Sequence, residues 1–397
     1  MYKILIPKAL KESARTFLTD KGYELVELQG TDEETMKKAI SDVDASLPVR
    51  KNIHLLSLKP LGTSRSLPVT ALATKTSILR PATKKGVTVT LARGCNTYSV
   101  AEHAITLMLA ALRQISQLDR EVRKGDWKSR DRVETHEARG KVFGSIGIGP
   151  IGMEAVKIAH FGFQMKILVY DKFVDQSKFP DWIEFTNTLD DLMERSDVVS
   201  PHLPLNKGTF HILNEESISH MKRGGILLNV SRGAIWDEKA VYQALQEGRI
   251  GAAAGDVFET EPPTPDNPLF ALPNFIGTPH TAALSEEAVT AVAMNCAHAI
   301  DDLFSGKEPL YIINHPTAEG WGAVNCPLGG QSVWRDDHGR KVSHQDQHKV
   351  LQAMRNLLCL CPKQVFDQEV GKPPVAARAD VCIGCKMCAM RLPGLCY

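Results

Sequence analysis

Short apolar runs alternate with longer amphipathic stretches through most of this chain, which predicts an α/β fold. Residues 3–7 read as a strand and 10–21 as a helix on apolar spacing. Residues 25–28 read as a second strand, and 32–40 as a capped helix. Residues 99–124 predict one long helix, with Ser99 as N-cap and Glu102 completing a capping box. It is apolar enough to be buried, which suits a helix linking two domains or lining a dimer contact. From residue 141 the alternation becomes regular. Strands are expected near 142–146, 166–170, 197–200, 226–230, 252–256 and 275–277, and the helices between them make the sheet parallel. A final helix, 285–305, runs back toward the first domain and ends at Gly306.

Composition narrows the class. At 397 residues the chain has room for two domains, and 43% apolar with 23% charged residues is ordinary for a globular protein. A formal net charge of +1 points to neither nucleic acid nor a membrane surface as partner. No apolar run approaches a membrane span, and the first residues read as a strand, not a signal peptide. A cytoplasmic address is expected. Only Cys95 and Cys296 precede residue 317, whereas Cys326, Cys359, Cys361, Cys382, Cys385, Cys388 and Cys396 crowd the remainder. A thiol-poor body, 1–316, is therefore joined to a tail of different character, 317–397.

Chemistry concentrates where strands end. Gly147, Gly149 and Gly152 form G-x-G-x-x-G between a strand and a helix over 151–160. Asp171 closes the next strand about 20 residues on. Glycines permit the tight turn and close pyrophosphate approach, while the helix start offers amides and dipole. Asp171 would bond both ribose hydroxyls and repel a 2′-phosphate, so NAD is favoured over NADP. Downstream, Arg232 lies in Asn-Val-Ser-Arg-Gly, Glu261 in Asp-Val-Phe-Glu-Thr-Glu-Pro and His280 in Thr-Pro-His. Each residue alone serves ordinary ion pairs and caps. Together, after a nucleotide motif, they suit hydride and proton transfer on a small carboxylic acid. His103, on the apolar helix, is expected to be a satisfied core residue, and His202 to pack beside the cofactor without doing chemistry. No metal site is expected in residues 1–316.

The cradle, Asp197-Val-Val-Ser-Pro-His-Leu-Pro-Leu-Asn-Lys-Gly-Thr, Met221-Lys-Arg-Gly-Gly-Ile-Leu-Leu-Asn-Val-Ser-Arg-Gly-Ala-Ile-Trp-Asp-Glu and Asp256-Val-Phe-Glu-Thr-Glu-Pro together resemble the D-isomer-specific 2-hydroxyacid dehydrogenases. The phosphoglycerate and hydroxypyruvate (glycerate) branches look nearest, and the resemblance covers about 1–55 and 82–316. It implies a Rossmann-type doubly wound sheet inserted into a smaller flavodoxin-like substrate domain, usually in a homodimer. The substrate-binding parts would be 1–98 and 285–316, around an NAD-binding domain at 99–284. Arg232 would match the substrate-binding arginine, and Glu261 with His280 the acid/base dyad. Asp256 would match the aspartate near the nicotinamide, with Ile151, Pro204, Thr209, Val230 and Ser231 along the cofactor and Asn96 at the substrate. Pro150 stands where arginine is common, and Thr-Ala-Ala follows His280 where Ile-Gly-Gly or Ile-Ala-Gly is usual.

One segment departs from the resemblance. No glycine lies between Gly62 and Gly86, although the family has a glycine-rich loop there whose amides hold the substrate carboxylate. Codons can be chosen for Val69–Leu79 whose shifted frame reads His-Gly-Val-Gly-Tyr-Glu-Asn-Ile-Asp-Leu, a version of that loop. In the same frame Gly62–Val69 reads Asn-Leu-Lys-Val-Ala-Ser-Arg. Residues 56–81 are read as a frame slip that is later reversed. As written, the chain is expected to lose a substrate-domain strand and the carboxylate cradle. Residues 317–381 lack periodicity and are expected to be disordered or loosely structured. Cys382, Cys385 and Cys388 then open a ferredoxin-like spacing, with Leu392 where a fourth cysteine belongs, so no working cluster is expected. The sequence thus predicts an NAD-dependent dehydrogenase acting on a small 2-hydroxy or 2-oxo acid. The alternative is an NAD(H)-binding protein without turnover, either a damaged product or a co-repressor-like redox sensor.

Overall fold

The computed structural model describes residues 1–30, 32–40, 42–47, 69–70, 87–314, 366–367 and 375–376. Most of the altered segment, the carboxylate-loop region and the tail cysteines lie outside the described residues. Residues 1–322 form one compact unit and 323–397 another.

The chain opens on a five-stranded parallel sheet in the order β2-β1-β3-β4-β5. Its strands are β1 (Lys3–Ile6), β2 (Glu24–Glu27), β3 (Ala45–Ser46), β4 (Val69–Thr70) and β5 (Val89–Thr90). This is the flavodoxin-like order. β1 is buried because α1 (Glu12–Asp20) and the late helix α9 (Glu286–Phe304) cover it, Ile4, Leu18, Ala297 and Ile300 packing together. Between β2 and β3 runs α2 (Glu33–Ile40). The strand position expected to be lost is filled by the two residues of β4, which pair with Ser46 on one side and with Val89 and Thr90 on the other. That corrects the expectation of a missing strand. Residues 311–313 run beside β5, with Leu91 N donating to Tyr311 O and Ile313 N to Val89 O, so the returning chain covers this edge.

The second sheet has seven strands, all parallel, ordered β12-β11-β10-β9-β6-β7-β8. They are β6 (Val142–Ile146), β7 (Lys166–Tyr170), β8 (Ile183–Phe185), β9 (Val198–Pro201), β10 (Gly225–Asn229), β11 (Ile250–Gly255) and β12 (Phe275–Gly277). Strand order reverses between β6 and β9, the Rossmann switch point where ligands bind beyond the carboxyl ends of strands. One face is packed by α3 (Thr97–Leu112), whose Ala104 and Met108 are wholly buried. The other face holds Leu192, Val241 and Trp236, on or beside α6 (Leu189–Arg195), α7 (Glu215–Ser219) and α8 (Glu238–Gln246).

The single helix expected over 99–124 is two. α3 ends where Gln114 turns left-handed (φ 48°), and α4 (Ile115–Arg123) continues with no fully buried residue. The break falls where the all-round apolar sequence gives way to a one-sided stripe. α3 also begins earlier than expected, with Asn96 at the N-cap position, so Ser99 lies inside the helix and caps nothing. In the second unit, two short strands, β13 (Phe366–Asp367) and β14 (Val375–Ala376), pair antiparallel where no regular structure was expected. Among the described residues no helix is long and apolar enough to cross a membrane, and no cluster could hold a metal.

Candidate active site

Six strands of the large sheet deliver their following residues to one edge. After β6, Gly147 takes φ 88°, and a Cβ there would sit 2.7 Å from Leu203 and 2.9 Å from the His202 carbonyl. A Cβ on Gly152 would lie 2.6 Å from the Gly147 carbonyl, so this glycine lets the helix pack onto the turn. At Gly149 a Cβ would meet nothing within 4 Å. The turn is therefore closed toward the protein at Gly147 and Gly152 and open toward solvent at Gly149, which fits the close approach of a dinucleotide pyrophosphate. Gly149 is the N-cap of α5 (Pro150–Lys157) and Pro150 occupies its first turn, preset for helix but without an amide to offer. Ile151 follows, half-buried against the core.

Asp171, just beyond β7, accepts from Ile148 N at 3.0 Å through one oxygen and from Phe173 N at 2.9 Å through the other. These bonds aim the carboxylate across the glycine turn and leave lone pairs for ribose hydroxyls. Thr209 Oγ1 donates to the Pro204 carbonyl at 2.6 Å and accepts from Asn206 N, closing the loop after β9. Val230 is buried beyond β10, and Ser231 Oγ donates to the Pro201 carbonyl at 2.6 Å, tying the ends of β9 and β10 together. His202 sits under the cradle with neither ring nitrogen bonded. Burial lowers its pKa to about 4, so it is neutral there.

The two residues expected to handle the proton are in contact. His280 Nδ1 lies 2.8 and 3.0 Å from the two Glu261 carboxylate oxygens, leaving Nε2 as the nitrogen able to exchange a proton. Arg232 precedes a short 3-10 turn at Gly233–Ile235, exposed, with Nη1 donating to the Ser231 carbonyl. Its loop is braced by Asn229, wholly buried, whose Nδ2 donates to the Arg232 carbonyl at 2.9 Å and whose Oδ1 accepts from Ser231 N. Gly233 brings that loop against the one carrying Glu261. A Cβ at 233 would fall 1.9 Å from the Phe258 carbonyl carbon and 2.4 Å from Glu259 N.

Asp256 is wholly buried, and its carboxylate is spent on the segment around His280. It accepts from Thr278 Oγ1 at 2.6 Å, Thr281 N at 2.8 Å and Ala282 N at 2.8 Å. Asn96 stands at the start of α3 and makes no side-chain capping bond. Glu261 and His280 are thus in direct contact and Asp256 holds the segment around His280, while Arg232 shares the same strand edge with its guanidinium bonded to the Ser231 carbonyl. Asn229 and Thr278 were missed although both lie in quoted motifs. A buried amide or hydroxyl directly after an apolar strand was the available signal.

Residues 105–282 match the model of the D-isomer specific 2-hydroxyacid dehydrogenase NAD binding domain. The chain is 38% identical over 245 residues to a glyoxylate reductase of Korarchaeum cryptofilum, covering 59% of this chain and 72% of that one. It is 33% identical over 304 residues to a hydroxypyruvate reductase of Thermotoga maritima, covering 75% and 97%. A D-3-phosphoglycerate dehydrogenase of Archaeoglobus fulgidus is 35% identical over 320 residues, but the match spans only 60% of that longer protein. Among solved structures, apo D-lactate dehydrogenase from Escherichia coli superposes with a TM-score of 0.68 at 27% identity, covering 78% of this chain and 99% of that one. The fold is α/β of Rossmann type with an NAD cradle. The chain belongs to the D-isomer specific 2-hydroxyacid dehydrogenase family.

Proposed function

We propose that the protein is an NAD-dependent dehydrogenase interconverting a D-2-hydroxy acid and its 2-oxo acid, of the 3-phosphoglycerate or glycerate/hydroxypyruvate type. The observation carrying this reading is the doubly bonded Glu261–His280 pair on the same strand edge as Arg232 and the glycine cradle. In reduction, a nicotinamide dinucleotide held by the glycine turn and Asp171 would supply the hydride for the carbonyl carbon. His280 Nε2 gives its proton to the carbonyl oxygen, and Arg232 holds that oxygen and the carboxylate. Glu261, bonded at Nδ1, orients the ring and leaves Nε2 as the nitrogen that exchanges the proton. Asn96 adds an amide from the start of α3. Residues 1–98 and 285–316 form the substrate-binding part and 99–284 the NAD-binding part.

Ile115, Val122 and Trp127 are each more than half exposed on and just after α4, an apolar surface suited to a second copy of this chain. We place such a homodimer in the cytoplasm, and light scattering tests the dimer. A second reading is favoured by the glycine-free run between Gly62 and Gly86: cofactor binding without turnover. NADH fluorescence quenching, paired with NADH oxidation on hydroxypyruvate, phosphohydroxypyruvate and glyoxylate, separates the two. Turnover supports the dehydrogenase. Quenching with no turnover on any of these acids selects the second reading.

A further inference from the structure

The loop carrying His280 is held from outside its own sheet. Ser99 and His103 lie four residues apart and so on one face of α3. Ser99 Oγ donates to the Ala282 carbonyl at 2.6 Å, while His103 Nε2 lies 3.0 Å from Thr278 Oγ1. The two contacts bracket His280. A threonine hydroxyl has one proton, and Thr278 gives its own to Asp256 at 2.6 Å. His103 must therefore donate through Nε2, and the chain runs His103 Nε2–H to Thr278 O–H to the buried Asp256 carboxylate.

His280 itself takes φ 55°, a left-handed conformation that a residue with a side chain keeps only when its surroundings hold it there. Its backbone N–H donates to the Asp256 carbonyl at 2.8 Å. α3 also begins next to Asn96. One helix thus reaches both the proposed substrate asparagine and the loop that aims the proton donor.

We propose that His103 is a positioning residue: with Ser99 it clamps residues 278–282 to α3 and holds His280 in the orientation that meets Glu261. This rests on the dehydrogenase reading for its effect on rate, but the clamp itself is a statement about the Glu261–His280 bond. The test compares His103→Phe, which keeps bulk and removes the donor, with His103→Gln, which keeps a donor. Thr278→Val breaks the same chain at its middle link.

Two readouts are needed. The first is the downfield Nδ1–H proton of His280 in protein carrying 15N-labelled histidine, assigned by its loss in His280→Gln. The second is kcat and KM on a 2-oxo acid. We expect His103→Phe and Thr278→Val to lose the downfield signal and to lower kcat about tenfold to a hundredfold. NADH affinity should be little changed in both; the melting temperature should hold in His103→Phe and fall in Thr278→Val, where the buried Asp256 loses a donor, and His103→Gln should recover the signal and most of the rate. Retention of the signal in both His103→Phe and Thr278→Val overturns the clamp. So does a glutamine variant no better than phenylalanine, which would make His103 a packing residue only. If the unaltered chain binds NADH without turnover, the dehydrogenase reading fails by itself and the proton signal still decides the clamp.

Discussion

The two parallel sheets are built from the same kind of unit and differ in how firmly their strands are paired. In the large sheet β6 and β7 run in register from Val142–Lys166 to Ile146–Tyr170, and β10 and β11 match over a similar length. In the small sheet β3 meets β4 through the single pair Ser46–Val69, and β4 meets β5 through Val69–Val89 and Thr70–Thr90. Among the described residues this short pairing falls in the glycine-free run, whereas β1 and β2 of the same sheet pair over four residues, Lys3–Glu24 to Ile6–Glu27. The residues proposed for cofactor and acid/base chemistry all follow strands of the large sheet, so under the proposed function a defect in the small sheet should weaken substrate binding and spare NAD binding.

Repairing the weak sheet is the largest expected effect. Replacing residues 62–79 with Asn-Leu-Lys-Val-Ala-Ser-Arg-His-Gly-Val-Gly-Tyr-Glu-Asn-Ile-Asp-Leu restores backbone amides able to approach a carboxylate. Turnover on hydroxypyruvate should rise about a thousandfold or more, since positioning supplies much of the barrier reduction. NADH affinity should stay within a factor of about two, because the cradle lies in the other sheet. Steady-state kinetics beside NADH titration checks both halves, and an equal rise in affinity would break the division of labour.

Within the strong sheet two glycines separate folding from binding. Gly233→Ala forces a methyl into the Phe258–Glu259 backbone, which no rotamer relieves, and should cost about 3 kcal/mol with loss of turnover. Gly149→Ala meets no protein atom within 4 Å, so melting should be unchanged while NADH binds about tenfold more weakly. Thermal melts and NADH titration of the pair would show whether the open side of the turn is the ligand side.

Much of this was legible because the large sheet obeys local rules. Each of the six strands expected from 142 to 277 is present within a few residues, while β8, only Ile183–Phe185, was not expected, and the glycine spacing named its own turn. The small sheet was less readable: β3 and β5 are too short for a periodic signal, and only the returning segment at 311–314 completes that edge. Asp256 shows the same limit at the level of a side chain. Motif position put Asp256 near the nicotinamide, yet its lone pairs go to Thr278, Thr281 and Ala282, contacts made only when β11 and β12 lie side by side. Ser99 had a good capping pattern and lost that role because the helix gained two residues ahead of it.

Removing the carboxylate partner of His280 tests the strong edge at its reactive end. Glu261→Gln keeps the shape of the loop but ends the charge-assisted bond to Nδ1 now 2.8 Å long. Reduction needs the imidazolium, so the pH above which reduction fades should move down, with about a tenfold to hundredfold lower kcat at neutral pH. The reverse reaction needs the neutral ring and should extend to lower pH. Parallel pH–rate profiles in both directions check this, and profiles that coincide with the parent protein would remove Glu261 from the proton path.

His202, on the same strong sheet, should set where that sheet fails in acid. Its ring nitrogens are sealed off although part of the residue reaches the surface, and burial lowers its pKa from 6.5 to about 4. Unfolded chain therefore takes up a proton as pH falls through 6.5, while the folded form resists until about 4. Stability from this group is present above 6.5 and drains away across that window. The shift corresponds to about 2 kcal/mol after discounting for the part of the residue that reaches the surface. His202→Leu has no proton to take up, so its stability curve should be flatter between these limits, with NADH binding retained to lower pH. Urea melts at several pH values check the slope. Equal slopes in parent and variant would mean that the ring is solvated and that acid loss begins elsewhere, with the weakly paired small sheet the first place to look.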